Sequence, residues 1–338
     1  MDSSRISIDG TDIAFAQDGQ DTVLRAALRA GIGFPYECAS GGCGSCKFDL
    51  VSGAVDNLWP EAPGLTDRDR RKQRLLACQC RARGDLCIKV RPSQESKPLV
   101  LPRRRTAKLA GITDITHDIR EFRFVTDSAA EFLPGQFALL DIPGIPTPRA
   151  YSMSNIANDA GQWHFQIRRV REGKATAALF DRLEPGDVIG LDGPYGLAWL
   201  RQDNERDLIC IAGGSGLAPM VSIARGASAA GLLDKRKLHF YYGARTAADV
   251  CGEHLLGELP EFASKLHFHP VVSMPESSAL WSGAIGFVHQ QVEQDFGSRL
   301  ADHEFYFAGP PPMTQSLQEM LMVQYKVPFS QIHYDRFF

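Results

Sequence analysis

The sequence predicts a chain of three parts: a small β-rich segment with one helix, an antiparallel β-barrel, and an α/β segment built on a parallel sheet. Three observations lead there. Six of the eight cysteines lie before residue 90, among short alternating runs. Between about 105 and 200, short β-runs are separated by regularly spaced Gly and Pro. From about Asp207 onward, apolar strand candidates alternate with helical stretches, as a parallel sheet with crossover helices requires. A length of 338 residues also exceeds what one hydrophobic core usually organises.

In the first part, Ile6-Ser7-Ile8 and Ile13-Ala14-Phe15 flank the turn-like Asp9-Gly10 and read as a β-hairpin. Asp21 is placed to cap a helix in which Val23, Leu24, Ala27 and Leu28 share a face, with Gly31 ending it. Strands are expected over Lys47 to Val51 and Leu86 to Val90. Pro92 to Pro102, rich in Ser, Gln, Glu, Lys and Pro, suits a linker. Barrel strands are expected at Glu121 to Val125, Gln136 to Ile142, Trp163 to Val170 and Asp187 to Leu191. Parallel strands follow at Leu208 to Ala212, Leu238 to Tyr242, Leu266 to Val272 and Glu304 to Ala308, with a helix starting near Leu217.

Composition excludes several classes. With 44% apolar and 23% charged residues the chain is that of an ordinary folded protein. Its longest apolar region, Leu208 to Ala224, is interrupted by Gly-Gly-Ser-Gly, so no membrane span is expected. The N-terminus has no apolar signal core, and a cytoplasmic location is the expectation. A net charge of −3 gives no reason to expect nucleic acid, and the basic runs Arg68 to Arg74 and Arg103 to Arg105 read as solvated loop and linker charge.

Cys38, Cys43 and Cys46 form a C-x₄-C-x₂-C loop with interleaved glycines, and Leu76-Ala77-Cys78-Gln79-Cys80 offers a distant fourth thiol. This is the plant-type [2Fe–2S] spacing. Gly41, Gly42 and Gly44 let backbone N–H groups turn toward an electron-rich cluster. Structural zinc normally uses paired C-x₂-C knuckles, which this loop lacks. Spacing alone leaves Cys78 and Cys80 open as the fourth ligand. Cys80, Cys87, Cys210 and Cys251 read more readily as small apolar residues.

Further on, Arg149-Ala150-Tyr151-Ser152 offers a cation for phosphate, an aromatic face for a flat ring, and a hydroxyl for a ring nitrogen. Gly173-Lys174-Ala175-Thr176 opens a helix expected over Ala177 to Leu183, whose N-terminal amides suit a pyrophosphate; Thr176 also reads as a plain cap. Gly213-Gly214-Ser215-Gly216-Leu217-Ala218-Pro219 joins a strand to a helix, where a dinucleotide phosphate meets a helix N-terminus. Gly309-Pro310-Pro311-Pro312-Met313 forms a second such turn, and the two are expected to line one crevice.

On these residues the chain resembles the reductase components of bacterial multicomponent oxygenases, most of all those of soluble di-iron toluene/alkene monooxygenases. Phe34-Pro35-Tyr36-Glu37-Cys38, Asn57-Leu58-Trp59-Pro60, Asp192-Gly193-Pro194-Tyr195-Gly196 and the terminal Ile332 to Phe338 add to the likeness. The resemblance implies a plant-type ferredoxin (β-grasp) domain over 1–97, a linker at 98–104, an FAD-binding barrel over 105–203 and an NAD-binding domain of ferredoxin-reductase type over 204–338. It implies Cys78 as the fourth iron ligand. Arg149, Tyr151 and Ser152 match its flavin motif, with Tyr151 and Ser152 at the reacting ring. Gly173, Lys174 and Thr176 match its FAD pyrophosphate segment. Gly213, Gly214, Gly216, Ala218 and Pro219, with Gly309, Pro310 and Met313, match its nicotinamide segments. Phe337 or Phe338 is expected near the flavin. One departure is Ala308, where the family usually carries cysteine.

The implied activity is oxidation of NADH, with FAD converting a two-electron donor to the one-electron [2Fe–2S] cluster, which serves a transiently docked ferredoxin or oxygenase component. A Rieske-type ring-hydroxylating dioxygenase is the alternative client; a sugar-dehydrase reductase and a non-catalytic redox sensor are further alternatives. Arg245, after the second parallel strand, leaves NADPH open, although NADH is the expectation.

Overall fold

The computed structural model describes residues 3–274 and 281–337. The chain divides into two compact units, one running to Arg104 and including Asp192–Leu197, the other formed by Arg105–Leu191 and Ala198–Phe337. No helix among the described residues is long and apolar enough to cross a membrane.

The first unit holds β1 (Ser4–Ile8), β2 (Ala14–Gln17), α1 (Val23–Arg29), β3 (Lys47–Ser52), β4 (Val55–Asn57), α2 (Asp67–Arg71), β5 (Leu75–Leu76), β6 (Cys80–Ala82) and β7 (Leu86–Lys89). Its mixed sheet runs β2-β1-β7-β3-β5, with β4 and β6 paired separately. The expected hairpin is β1 and β2, antiparallel with Ile6 opposite Phe15. Val23, Leu24, Ala27 and Leu28 are buried on α1 as their spacing requires. The cap differs from expectation: the Thr22 hydroxyl accepts from the Arg25 N–H, while Asp21 instead accepts from Arg29 Nε at 2.9 Å. Arg29 also donates to Asp192 at 2.7 Å and to the Pro102 carbonyl at 2.9 Å.

The segment expected as a linker makes defined contacts. The Ser93 N–H donates to the Gly33 carbonyl at 2.8 Å, Ser96 is buried, and a short 3₁₀ turn spans Gln94–Ser96. The basic run is likewise more ordered than a loop. In α2 the Thr66 and Asp69 side chains and amides form a reciprocal capping box, and Asp69 is buried against Lys47 at 2.7 Å.

The barrel region is built by β8 (Arg103–Asp114), β9 (Ile119–Thr126), β10 (Phe137–Asp141), β11 (Arg149–Ser152), β12 (Gln162–Arg168), α3 (Lys174–Asp181) and β13 (Val188–Tyr195), and it belongs to the second unit apart from the first residues of β8 and the last of β13. The sheet order is β11-β10-β13-β8-β9-β12. An antiparallel bridge between Met153 and Phe165 brings the two end strands together and nearly closes the sheet. Inside, Phe122 sits opposite Phe165 and Phe124 opposite Trp163, all buried. A fully buried Phe contributes about 1.5–3 kcal/mol, so this layer anchors the barrel.

The α/β region comprises β14 (Asp207–Gly213), α4 (Leu217–Ala229), β15 (Leu238–Ala244), α5 (Glu253–Gly257), β16 (Leu266–Val272), β17 (Ala284–Ile285), α6 (Val288–Phe296), β18 (His303–Gly309), α7 (Pro311–Gln318) and β19 (Ile332–Arg336). Its sheet order is β17-β16-β15-β14-β18-β19, parallel at every pairing. Both faces are covered: Leu217, Met220 and Leu256 pack on one side, Val292, Phe296 and Leu317 on the other.

Candidate functional site

The cysteine loop needs backbone conformations that side chains resist. Gly41 and Gly44 have φ of 92° and 76°. Space is as restrictive: a Cβ on Gly44 would lie 2.3 Å from the Gly64 carbonyl oxygen. The Gly64 N–H in turn donates to the Gly41 carbonyl at 2.9 Å, closing the 57–65 turn onto the loop. This geometry aims amides at sulfur. The N–H groups of Ser40 and Cys43 donate to Cys38 Sγ at 3.5 and 3.3 Å, and that of Ser45 donates to Cys43 Sγ at 3.4 Å.

The thiols fall into two neighbouring pairs, Cys38 with Cys43 and Cys46 with Cys78. The Cys43 thiol draws Cys38 down to about 5 against the opposing effect of burial, whereas its neighbour Cys78 and burial push Cys46 up. Cys80 lies in β6, where its backbone is in register with Asn57, and burial pushes its thiol up to about 12. Gln79 Nε2 reaches Cys78 Sγ at 3.7 Å. Two thiol pairs served by backbone and amide donors fit a two-iron cluster of thiolate ligands.

Arg149, Tyr151 and Ser152 all lie on β11, the end strand of the barrel sheet, in register with Leu140, Ala138 and Phe137. Arg149 is exposed and donates to the Thr147 carbonyl at 2.8 Å, which keeps its guanidinium at the surface. Burial pushes the Tyr151 hydroxyl up to about 12, so it stays neutral. Ser152 is buried. Gly173 precedes α3, which begins three residues earlier than the sequence suggested. The Thr176 hydroxyl accepts from the Val170 N–H at 3.1 Å and donates to the Gly173 carbonyl at 3.1 Å, locking the turn that presents the first α3 amides. A Cβ on Gly173 would sit 2.8 Å from that hydroxyl. Tyr151 and Ala175 pack against the same barrel core. An aromatic face, a surface cation and an open helix N-terminus on one barrel fit a flavin dinucleotide.

The two glycine turns do meet. Ala212 on β14 is in register with Ala308 on β18, which sets both carboxyl ends side by side. A Cβ on Gly213 would lie 2.7 Å from Met313 Sδ. Beyond them opens a cleft of about 410 Å³ lined by Gly213, Gly214, Pro310 and Met313. Ala218 and Pro219 are buried within α4 and are not among the residues lining it. Gly309 has φ of 156° and accepts from the Phe337 N–H at 3.2 Å; Phe337 packs on the core that includes Ala308, and Phe338 lies outside the described residues.

The cleft also has residues that sequence reasoning missed. Arg168 Nε donates to Asp118 at 2.6 Å, and the guanidinium lies against Gly214. Tyr242 donates to the Gly214 carbonyl at 3.4 Å; burial holds its hydroxyl far above the ordinary range. Phe287 was missed too, whereas Arg245, which the sequence did single out, completes the wall. For Tyr242 the usable signal was position, since it lies near the carboxyl end of the second parallel strand, where ribose is read in such sheets.

Helix α4 braces the two halves of this unit. Ser222 Oγ donates to the Asn155 carbonyl at 2.7 Å and Arg225 to the Ser154 carbonyl at 3.0 Å. Those carbonyls follow Ser152 directly, so the helix that starts at the glycine turn also fixes the strand carrying Tyr151 and Ser152. Rigid bracing of this kind sets the relative orientation on which transfer between two bound groups depends.

Residues 6–83 match the 2Fe-2S iron-sulfur cluster binding domain, 106–199 the oxidoreductase FAD-binding domain, and 210–319 the oxidoreductase NAD-binding domain. The chain is 42% identical over 320 residues to the ferredoxin–NAD(P)+ reductase CarAd of Metapseudomonas resinovorans, covering 94% of each. It is 40% identical to the ferredoxin–NAD+ reductase component of the alkene monooxygenase system of Xanthobacter autotrophicus, over 96% of this chain and 98% of that one. The solved ferredoxin reductase of carbazole 1,9a-dioxygenase superposes with a TM-score of 0.90 at 37% identity, over 100% of this chain and 99% of that one. With its iron–sulfur, flavin and nicotinamide segments in one chain, the protein belongs to the ferredoxin–NAD(P)+ reductase family of oxygenase electron-transfer components.

Proposed function

We propose that this reductase oxidises NADH in the cytoplasm and supplies a ferredoxin or oxygenase component of a multicomponent di-iron monooxygenase through transient contact. The observation that carries this reading is the convergence of both glycine turns on one cleft, in the same chain as two facing pairs of thiols. FAD, when bound, supplies the exchange between a hydride and single electrons that an iron–sulfur cluster needs.

The chain's own residues do the rest. Arg149 offers its surface cation to phosphate and the α3 amides at Lys174 offer donors. Tyr151 presents a neutral aromatic face, and Ser152 a buried hydroxyl, at the reacting ring. Gly213, Gly214, Gly216, Pro310 and Met313 shape the dinucleotide path, while Arg168, held by Asp118, brings positive charge to its phosphates. Cys38, Cys43, Cys46 and Cys78 are the iron ligands, and Phe337 closes the flavin side. The functional domains run over 1–97, 105–203 and 204–338, with 98–104 between the first two.

Arg245 is the cation at the end of β15 lining the cleft, and no ion pair among the described residues includes it. A lone cation is weak recognition for a 2′-phosphate, so NADH is the preferred coenzyme. A second reading, service to a ring-hydroxylating dioxygenase, is favoured by the likeness to the carbazole dioxygenase reductase. Anaerobic titration with NADH and NADPH, following flavin and cluster absorbance, tests cofactor content, coenzyme choice and internal transfer together. Reduction by neither coenzyme sinks the assignment. Turnover with each purified oxygenase type separates the two clients.

A further inference from the structure

Beside the cysteine loop the surface carries two neighbouring large apolar side chains. Leu58 is 38% exposed and Trp59 44% exposed, on the turn that follows β4. This turn is tied to the fourth thiol. The Leu58 N–H donates to the Gln79 carbonyl at 2.8 Å, and the side chain of the same Gln79 reaches Cys78 Sγ at 3.7 Å. On its inner edge the Trp59 indole touches the loop itself, 3.1 Å from where a Cβ on Gly41 would stand. One edge of this ring faces solvent and the other faces the backbone that holds the thiols.

The flank is basic. Arg70 donates to the carbonyls of Pro60 at 2.6 Å and Ala62 at 3.2 Å, which fixes α2 to the turn as one patch. Ion pairs occupy Lys47, Arg70 and Arg74. Arg68, Arg71 and Lys72 are exposed and form no ion pair among the described residues. An exposed aromatic anchor beside a helix whose exposed cations have no ion pair is the composition of an interface that is steered by charge and held at an apolar centre.

We propose that Leu58 and Trp59, with Arg68, Arg71 and Lys72, form the docking face for an acidic electron-acceptor protein. The inference rests on the function assigned above. Oxidation of NADH to NAD+ and a proton releases two electrons, and two acceptor molecules in turn each take one at this face.

The test uses the complete holoenzyme and an acidic plant-type ferredoxin as probe, with basic cytochrome c as the opposite-charge control. Binding is measured by calorimetry at low and high salt. Binding to the acidic probe should weaken with salt, and by about tenfold or more in the R68E/R71E/K72E variant, which should bind the basic control more tightly. W59A should weaken binding by about tenfold. W59F, checked by an unchanged visible spectrum, guards against a disturbed cysteine loop. NADH–ferricyanide turnover should stay unchanged in the charge-reversal variant. Equal binding of the acidic probe by parent and charge-reversed enzyme would overturn the proposal. So would self-association of the parent that W59A abolishes, since that gives the face to a second copy. Absence of NADH–ferricyanide turnover in the parent would instead sink the underlying assignment.

Discussion

The carbonyl oxygen of Ala308 lies 1.9 Å from the point where a Cβ on Gly216 would stand. Gly216 has φ of −61°, so space and not backbone conformation demands glycine there. Gly216→Ala should therefore push β18 and the start of α4 apart, destabilising the second unit by about 1–3 kcal/mol. Thermal unfolding should show a lower midpoint and NADH titration a KM raised at least several-fold. An unchanged KM would mean that the two turns do not form the coenzyme path.

The pairing of Cys46 with Cys78 favours Cys78 over Cys80 as the fourth ligand, and two variants test that reading. Cys78→Ser should remove the red-brown absorbance and the bound iron, while Cys80→Ala should keep both, at a stability cost of about 1–2 kcal/mol for the lost buried sulfur. Iron content per chain and the visible spectrum of each variant check this. Iron lost from Cys80→Ala and kept in Cys78→Ser would reverse the assignment.

Thr176 offers a separable test of the flavin segment. Its hydroxyl both accepts from Val170 and donates to Gly173. Thr176→Val removes the hydroxyl that holds the Val170 N–H and should cost about 1 kcal/mol locally, with loss of FAD on gel filtration. Thr176→Ser should retain flavin. Cluster absorbance should be indifferent to both, and flavin retained in Thr176→Val would argue against this turn as a phosphate holder.

Ala308 occupies the position where the resembling family carries cysteine, and it is wholly buried at the end of β18. Ala308→Cys should raise the rate of flavin bleaching by NADH in stopped flow through better orientation of the bound ring. The added sulfur should also lower the melting temperature slightly, because the site is already packed. An unchanged bleaching rate would show that orientation here does not depend on this side chain.

Acidification should act through the histidine cluster at the amino end of the parallel sheet. Burial, then His269, His267 and His303, hold His239 down at about 4, opposed by Asp207. His269, also lowered by burial, faces Asp295. The unfolded chain binds a proton near pH 6.5 that the folded chain refuses until near pH 4, so stability is full above pH 6.5 and falls as pH drops through that window. Melting temperatures between pH 7 and 4 should decline, and His239→Gln should flatten the decline. Parallel profiles for the two proteins would remove His239 from the account.

Local rules made much of this molecule legible. A cluster held by one loop forces short, fixed cysteine spacing, so the loop shows in the sequence. Cys78 and Cys80 are both buried, and the pairing of β6 with β4 that separates their surroundings is not encoded in the spacing. Asp21 and Thr22 are equally good caps by composition; the outcome turned on Arg29, eight residues away. Helix α2 has five residues and no apolar stripe, so its order comes from a cap and a buried ion pair, not from a pattern. The Arg168–Asp118 pair joins residues fifty positions apart on a barrel, and no periodicity announces it.

The embrace of Arg29 by Asp21 and Asp192 bears on how such proteins can be recombined. Asp192 arrives from a strand nearly ninety residues past Arg104, and the Gly196 N–H, from the same stretch, donates to Tyr36 at 2.8 Å. A gene fragment ending at Arg104 would leave a partly buried guanidinium without one carboxylate and a tyrosine hydroxyl without its donor. Fusions that exchange the iron–sulfur module between reductases should therefore carry the 192–197 segment with it, or supply a matching one.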